Sequence, residues 1–172
     1  MSPFGPFHCV FRWDLSTVPD YESKLAPVRV RVARENELDT VAEVWHRGLS
    51  QEKGSPWADY LKRWTPRSAA SWFRDSTKRL GAQLLVVEKD GKIVAMNGMI
   101  FEKKSGVARF FTGVVVAPEE QRQGIGSKLL YSSLMEAKTE GLLSAEVETV
   151  QGITASEHLY PKFGGRSEVV AS

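Results

Sequence analysis

The sequence contains very little cysteine and histidine, and this scarcity limits the chemistry that it can support. Cys9 is its single cysteine, so a disulfide within the chain and a cysteine-based zinc site are both excluded. The three histidines, His8, His46 and His158, are scattered without the spacing typical of metal ligands. We therefore expect a protein that works without a metal ion.

Long apolar runs and a large net charge are also absent. No run approaches the roughly 20 apolar residues that a membrane-spanning helix needs, and residues 1–12 lack the basic and apolar regions of a secretory signal. The formal charge of +2 over 172 residues is too small for a dedicated nucleic-acid-binding protein. We therefore expect a soluble, cytoplasmic, single-domain protein with neither a membrane nor a nucleic acid as its partner.

Residues 1–27 differ from the rest of the chain because proline and aromatic residues are concentrated there. Residues 7–13 alternate well enough to predict a short strand. We interpret residues 1–27 as an N-terminal arm and residues 28–172 as the domain. The arm either packs on the domain, covers a substrate cleft or reaches a second subunit.

The remaining pattern predicts a mixed α/β fold. Alternating or continuous apolar runs predict five strands, and 3.6-residue periodicity predicts the helices between them. The predicted strands are 28–32, 83–88, 93–101, 107–116 and 142–150, and the predicted helices are 38–49, 57–79 (one helix interrupted at Pro66, or two), 125–140 and a short one after Thr154. An antiparallel N-terminal meander should therefore precede a parallel βαβ unit, with helices on both faces of the sheet. Thr154 and Glu157 fit a capping box at the start of the last helix.

The segment from residue 114 to residue 130 has the character of a phosphate-binding loop. A strand leads into a loop with Gly124 and Gly126, and this loop opens a helix. The first amides of a helix have no intrahelical acceptor, so together with the helix dipole they can bind a phosphate or a pyrophosphate. The alternative is an ordinary βα turn in which the glycines serve only the backbone geometry.

Two other phosphate-binding motifs fit this segment badly. The Gly-x4-Gly-Lys-Ser/Thr pattern of a P-loop is absent. The dinucleotide-binding fingerprint needs a third glycine where this sequence has Leu129. That fingerprint also follows the first strand of a βαβ unit, whereas this loop follows the fourth or fifth strand of the chain.

The pattern Val116-x-Pro118-x-x-Gln121-x-x-Gly124-x-Gly126 resembles the Gln/Arg-x-x-Gly-x-Gly/Ala signature of the GCN5-related N-acetyltransferases, the GNAT superfamily. The order of elements from residue 28 onward resembles that family too. The resemblance implies a GNAT-like central sheet, an N-acetyltransferase domain over residues 28–172 and acetyl-CoA as co-substrate, with its pyrophosphate on this loop. The cofactor-binding residues that it implies are Val114, Val115, Val116, Gln121, Arg122, Gln123, Gly124, Ile125, Gly126 and Ser127.

A second family motif, with a small residue followed by Tyr and a Gly-Phe pair, is similar to Ser156 through Gly164, and it implies that Tyr160 donates a proton to the leaving thiolate. The alternative is a tyrosine that anchors the last turn. The sequence departs from this motif at Ile153, where the family often has Asn, at Pro161 directly after Tyr160, and at the Gly-Phe pair, which is Gly164-Gly165 here.

The resemblance also implies that an amine attacks the acetyl thioester directly in a ternary complex. The backbone at residues 114–116 would supply the oxyanion donor, and pantetheine would pair with that strand edge. The proton acceptor stays open between Glu102, Glu146, Glu148 and a water chain.

The acceptor and the oligomeric state stay open as well. Residues 45–79 carry eight basic and three acidic residues, so an anionic or zwitterionic small molecule or a peptide N-terminus fits no worse than a polyamine. The alternatives to an N-acetyltransferase are a non-catalytic acyl-CoA-binding regulatory domain and a nucleic-acid-binding module. The few residues after Gly165 leave a short last strand, so the sheet edge there is either open or covered by the N-terminal arm or by a partner's strand. Because an uncovered edge promotes aggregation, we favour a homodimer.

Overall fold

The structure, a computed structural model, describes residues 8–51 and 56–170. Its elements are β1 His8–Asp14, β2 Arg29–Val32, α1 Leu38–Leu49, α2 Pro56–Leu61, α3 Pro66–Leu80, β3 Gln83–Lys89, β4 Lys92–Glu102, β5 Val107–Arg109, β6 Val115–Val116, α4 Ile125–Thr139, β7 Ser144–Val150 and β8 Arg166–Val169, with one π-helical turn at Ala155–Leu159. No helix in the described ranges is both long enough and apolar enough to span a membrane.

The strands form one mixed sheet in the order β2-β3-β4-β5-β7-β1-β8, and β6 continues beside β4. The pairing of β5 with β7 is parallel, and the other pairings are antiparallel. α4 packs on one face of the sheet through Leu129, Leu130 and Leu134. α1 and α3 pack on the other face, where Trp45 and Phe73 are buried. The predicted mixed sheet with helices on both faces is confirmed.

The segment predicted as one interrupted helix or two helices forms two, α2 and α3. Thr65 and Ser68 cap the start of α3 reciprocally: Thr65 Oγ1 accepts from Ser68 N at 3.0 Å, and Ser68 Oγ accepts from Thr65 N at 2.9 Å. Pro66 takes the first helical position, where its missing N–H costs nothing. The proline therefore separates the two helices because it starts the second one.

The prediction of one continuous strand over residues 107–116 is wrong. β5 ends at Arg109 and β6 begins at Val115. Between them Gly113 adopts a positive φ of 71°, a region that favours glycine, and Thr112 Oγ1 accepts from Gly98 N at 2.7 Å in place of a backbone carbonyl. The chain therefore leaves the ladder after β5 and rejoins β4 as β6, without following β7.

The described part of the N-terminal arm contributes a strand to the sheet. β1 confirms the strand predicted at residues 7–13, although Phe7 lies outside the described residues. It pairs with β7 on one side and with β8 on the other, and Trp13 is fully buried. The edge of β7 is therefore covered by the chain itself. The boundary between residues 27 and 28 and the homodimer both stay predictions.

Candidate active site

A cleft of about 610 Å³ opens where β6 and β7 diverge. β5 pairs with β7 up to Arg109, and Phe110 N donates to Glu146 O at 2.9 Å. Beyond that point β6 pairs with β4. The start of α4, the end of α1 and the π-helical turn border the resulting gap, so one concave surface collects residues that are distant in sequence.

The edge of β6 presents backbone polar groups to this cleft. Ala117 N donates to Val94 O at 2.8 Å, and hydrogen-bonded residues alternate along an antiparallel ladder, so the N–H and C=O of Val116 turn away from β4. The carbonyl of Val116 accepts from Gln121 Nε2 at 3.2 Å. Two residues earlier, Val114 N donates to the hydroxyl of Tyr160 at 3.0 Å.

The glycine loop forms a cradle of backbone amides at the start of α4. Gly124 has a φ of 77°, and its carbonyl accepts the first helical hydrogen bond, from Lys128 N at 3.1 Å. The N–H groups of Ile125, Gly126 and Ser127 therefore have no acceptor within the helix and carry the positive end of its dipole. A Cβ on Gly126 would lie 3.5 Å from Val116 Cγ2, an ordinary contact distance, so this position lies directly beside β6.

The residues implied as cofactor-binding line this cleft, with the exception of Gln123. Gln123 Oε1 accepts from Lys89 Nζ at 2.8 Å, and Lys89 also forms an ion pair with Glu120 at 2.7 Å. The side chain of Gln123 thus ties the loop to the end of β3. Its position depends on a lysine that no local pattern connects with the loop.

Tyr160 lies at the end of the π-helical turn, and its buried side chain lines the cleft. Its ring packs against Phe11 and Trp13, with centroid distances of 5.6 and 5.9 Å. Burial raises the pKa of its hydroxyl to about 12, so the group stays protonated at neutral pH. Because the oxygen accepts from Val114, its own O–H remains available to donate to a group in the cleft.

The turn that carries Tyr160 is built differently from the predicted capping box. The side chain of Thr154 makes no cap hydrogen bond. Ser156 Oγ donates to Ile153 O at 3.0 Å, and Tyr160 N donates to Ala155 O at 2.8 Å. Ser156 therefore binds the start of this turn by donating to a carbonyl, and does not accept from the first amides as a cap does.

Lys162 is a cleft residue that the sequence analysis missed. Its Nζ donates to Ser127 Oγ at 2.7 Å, across 35 residues of sequence. It lines the cleft together with Arg122, so it adds positive charge beside the first turn of α4. No spacing signal joins Lys162 to the loop, because tertiary folding alone brings them together.

A second, smaller cavity of about 200 Å³ adjoins the cleft. Thr112 and Glu148 line both spaces and so mark their junction. Thr112 Oγ1 accepts from Gly98 N and donates to the carbonyl of Gly113 at 2.8 Å, so this hydroxyl is committed to the backbone. The remaining lining residues of the second cavity are Trp45, Tyr60, Trp72, Arg109, Phe110, Phe111 and Glu146.

The three carboxylates considered as proton acceptors have different surroundings. Arg109 Nε lies 2.8 Å from Glu102 and lowers the pKa of that carboxyl group. Glu146 lies between Arg109 and Arg12, with Arg12 Nε at 2.8 Å. The side chain of Glu148 is 57% exposed at the junction of the two cavities, 3.3 Å from the imidazole of His8. Arginines therefore hold Glu102 and Glu146, while Glu148 faces the open space.

The comparison with protein families assigns this architecture to a class. The family model "Acetyltransferase (GNAT) family" matches residues 49–165, which is more than half of the chain. The protein therefore belongs to the GNAT family of acetyltransferases. No curated protein matches the sequence.

Solved structures share the fold at low sequence identity. The PaiA N-acetyltransferase from Thermoplasma acidophilum, solved in complex with coenzyme A, is 17% identical with a TM-score of 0.61 over 76% of this chain and 84% of its own. An N-acetyltransferase from Staphylococcus aureus is 18% identical with a TM-score of 0.64 over 80% and 82%. A putative GNAT acetyltransferase from Novosphingobium aromaticivorans is 17% identical with a TM-score of 0.59 over 94% of this chain, which spans only 60% of its length.

Proposed function

We propose that this protein transfers an acetyl group from acetyl-CoA to an amine of a small molecule or peptide, by direct attack in a ternary complex. One observation carries the proposal. The glycine cradle, the polar edge of β6 and the hydroxyl of Tyr160 line one cleft, and this cleft meets a second cavity at Glu148. Two adjoining spaces suit two substrates that react with each other while both are bound.

The cleft has the size and the donors to hold the cofactor. Its volume of about 610 Å³ lies within the range of small-molecule sites. The N–H groups of residues 125–127 would hold the pyrophosphate, with charge from Arg122 and Lys162 nearby. The C=O of Val116 would accept a hydrogen bond from pantetheine, which would lie beside β6 as a neighbouring strand does.

Acetyl-CoA supplies the activated thioester that the amine attacks. The N–H of Val114 already donates to the hydroxyl of Tyr160. The N–H of Val116, which turns away from β4, would therefore donate to the oxygen that becomes negative during the attack. The O–H of Tyr160 would protonate the departing thiolate.

Glu148 is the carboxylate best placed to accept the proton of the attacking amine. It stands at the junction where the amine and the acetyl group would meet, whereas Glu102 and Glu146 are held by arginines. One proton of the ammonium form would pass to Glu148, and the neutral amine would form the C–N bond. The C–S bond would break as Tyr160 protonates the sulfur, and the second proton that the nitrogen loses would restore the hydroxyl of Tyr160. The products are an amide and free coenzyme A.

Calorimetric titration of acetyl-CoA into the wild type, Gly126→Ala and Gly126→Glu tests the cofactor site. A Cβ at position 126 meets its neighbours at ordinary contact distances, so both variants can fold, and circular dichroism checks that they do. We expect micromolar binding by the wild type and Gly126→Ala, and a loss of binding by Gly126→Glu, which places a negative charge in the cradle. A folded wild type that does not bind acetyl-CoA would overturn the proposal.

An activity assay then separates an enzyme from a regulatory domain. Release of the coenzyme A thiol is followed with acetyl-CoA and a panel of amines. Acceleration by at least one amine supports the transferase. Tight binding without consumption by any amine would instead make the chain an acyl-CoA-binding regulatory domain.

A further inference from the structure

The cavity beyond Glu148 has an aromatic wall. Trp45, Tyr60, Trp72, Phe110 and Phe111 line it. We propose that the acetyl acceptor is a small primary amine on an aromatic ring, an arylalkylamine, with its ring against this wall and its nitrogen toward Glu148. The inference rests on the proposed acetyl transfer and specifies its second substrate.

The wall is a packed and therefore preorganised surface. The Trp72 ring meets Phe111 edge-on, with centroids 5.4 Å apart and planes at 78°. Its centroid lies 5.8 Å from that of Trp45, which is itself almost fully buried. Aromatic rings attract one another in such tilted arrangements beyond the effect of burial alone. A planar apolar ring is thus the group that this wall recognises best.

The volume of the cavity limits the size of the acceptor. It holds about 200 Å³, and an apolar cavity of roughly 150 Å³ in another protein binds benzene. One ring with a short alkylamine chain therefore fits. A larger body would have to extend into the cofactor cleft or into solvent.

The charges around the cavity argue against an anionic acceptor. Among the basic side chains that the structure describes between positions 45 and 79, none lines the cavity, and Arg47 and Arg74 form ion pairs with Glu119 and Asp39 elsewhere. Arg109 does line it, but Glu102 and Glu146 flank its guanidinium. A carboxylate on the acceptor would find Arg109 already paired and would meet two glutamates.

The same charges argue against a polycation. The lining holds two carboxylates and one guanidinium, so it presents about one negative charge in excess. A single ammonium group matches that balance, and Glu148 is the exposed carboxylate that would receive it. The neutral amine formed by proton transfer to Glu148 then attacks the acetyl carbon across the junction.

The experiment compares acceptors and a wall variant. Initial rates with acetyl-CoA are measured for 2-phenylethylamine, ethylamine, phenylalanine and spermidine, with the wild type, Trp72→Leu and Trp72→Phe. We expect 2-phenylethylamine to have the highest kcat/KM. Trp72→Leu should lower that value about tenfold or more while changing the value for ethylamine less than about twofold, and Trp72→Phe should recover most of the loss. The dissociation constant for acetyl-CoA should stay unchanged.

A binding measurement separates the failure of this inference from the failure of the proposed function. 2-Phenylethylamine is titrated calorimetrically into the protein saturated with coenzyme A. Faster acetylation of spermidine or phenylalanine would overturn the arylalkylamine inference and leave the transferase standing. Trp72-dependent binding of 2-phenylethylamine without acetylation of any amine would support the ring site and overturn the transferase. Absence of both binding and acetylation would overturn both.

Discussion

Replacing Tyr160 by phenylalanine separates its two interpretations, a proton donor and an anchor of the last turn. The change removes the oxygen that accepts the Val114 N–H at 3.0 Å and leaves that amide without its partner in a buried site. An orphaned buried donor costs about 1–3 kcal/mol in the free energy of unfolding. At about 2–4 °C for each kcal/mol in a chain of this size, the melting temperature should fall by several degrees.

Catalysis should respond separately from stability. Loss of a general acid lowers kcat by roughly 10²–10⁴-fold, whereas KM for acetyl-CoA should change little because Val116 and the glycine loop remain. The pKa of about 12 predicts a further signature. The neutral phenol stabilises the fold fully below its ordinary pKa of 10.0, and this contribution disappears as the pH rises from 10.0 to about 12. The variant should lack this alkaline loss of stability.

Tyr131→Phe is the matched control. The hydroxyl of Tyr131 also accepts a backbone N–H, from Tyr21 at 3.4 Å, and this tyrosine is also buried, but it does not line the cleft. Thiol release gives kcat, and urea denaturation gives the free energy of unfolding. We expect both variants to lose stability and Tyr160→Phe alone to lose kcat. If Tyr160→Phe loses stability and keeps kcat within about twofold of the wild type, the tyrosine is an anchor and the proton-donor assignment is refuted.

Two further changes test the proton acceptor and the acid stability. Glu148→Gln should lower kcat about 10²–10⁴-fold without weakening the binding of acetyl-CoA. Glu102→Gln is the control, because Glu102 lies outside both cavities, and this variant should keep the kcat of the wild type. Equal kcat values for Glu148→Gln and the wild type would contradict the assignment of Glu148 as the proton acceptor. Arg31 lowers the pKa of the Glu37 carboxyl group from 4.5 to about 2. The ionised carboxylate therefore stabilises the fold fully above pH 4.5, and this contribution to the free energy of unfolding is lost as the pH falls from 4.5 to about 2. Urea denaturation should therefore show Glu37→Gln about 1 kcal/mol less stable than the wild type at neutral pH and nearly equal to it at the acid limit, because solvent screens this surface pair. A difference that does not change with pH would contradict this reasoning.

The sequence predicted the features that depend on local patterns. Apolar periodicity located α1, α3 and α4, and Gly124 and Gly126 at the start of α4 located the cradle, because helix starts and turns are determined by neighbouring residues. The break between β5 and β6 escaped prediction because it depends on partners distant in sequence: Thr112 Oγ1 accepts from Gly98 N on β4, and the hydroxyl of Tyr160 accepts from Val114 N.

The contacts that distinguish the site residues from one another are equally non-local. Gln123 turns out of the cleft because of Lys89, and Lys162 enters it through Ser127. Glu146 and Glu148 lie on the same strand, but Glu146 is held by the two arginines Arg109 and Arg12. Arg12 is 134 residues away from Glu146 in the sequence. Spacing along one strand cannot distinguish two such carboxylates.

The position of β1 also determines the order in which the sheet can assemble. This strand leaves the ribosome before both of its neighbours, β7 and β8, and its apolar residues Cys9, Phe11 and Trp13 have no strand to pair with until most of the chain has been made. Pairings of such high sequence separation are slow to form, and an unpaired apolar strand is prone to aggregate meanwhile. Val170 N donates to His8 O at 3.1 Å, so the two described ends of the chain already meet. A circular permutation that joins these ends and opens the turn before β5 would place β7, β8 and β1 consecutively, and so convert the slowest pairings of the molecule into local ones.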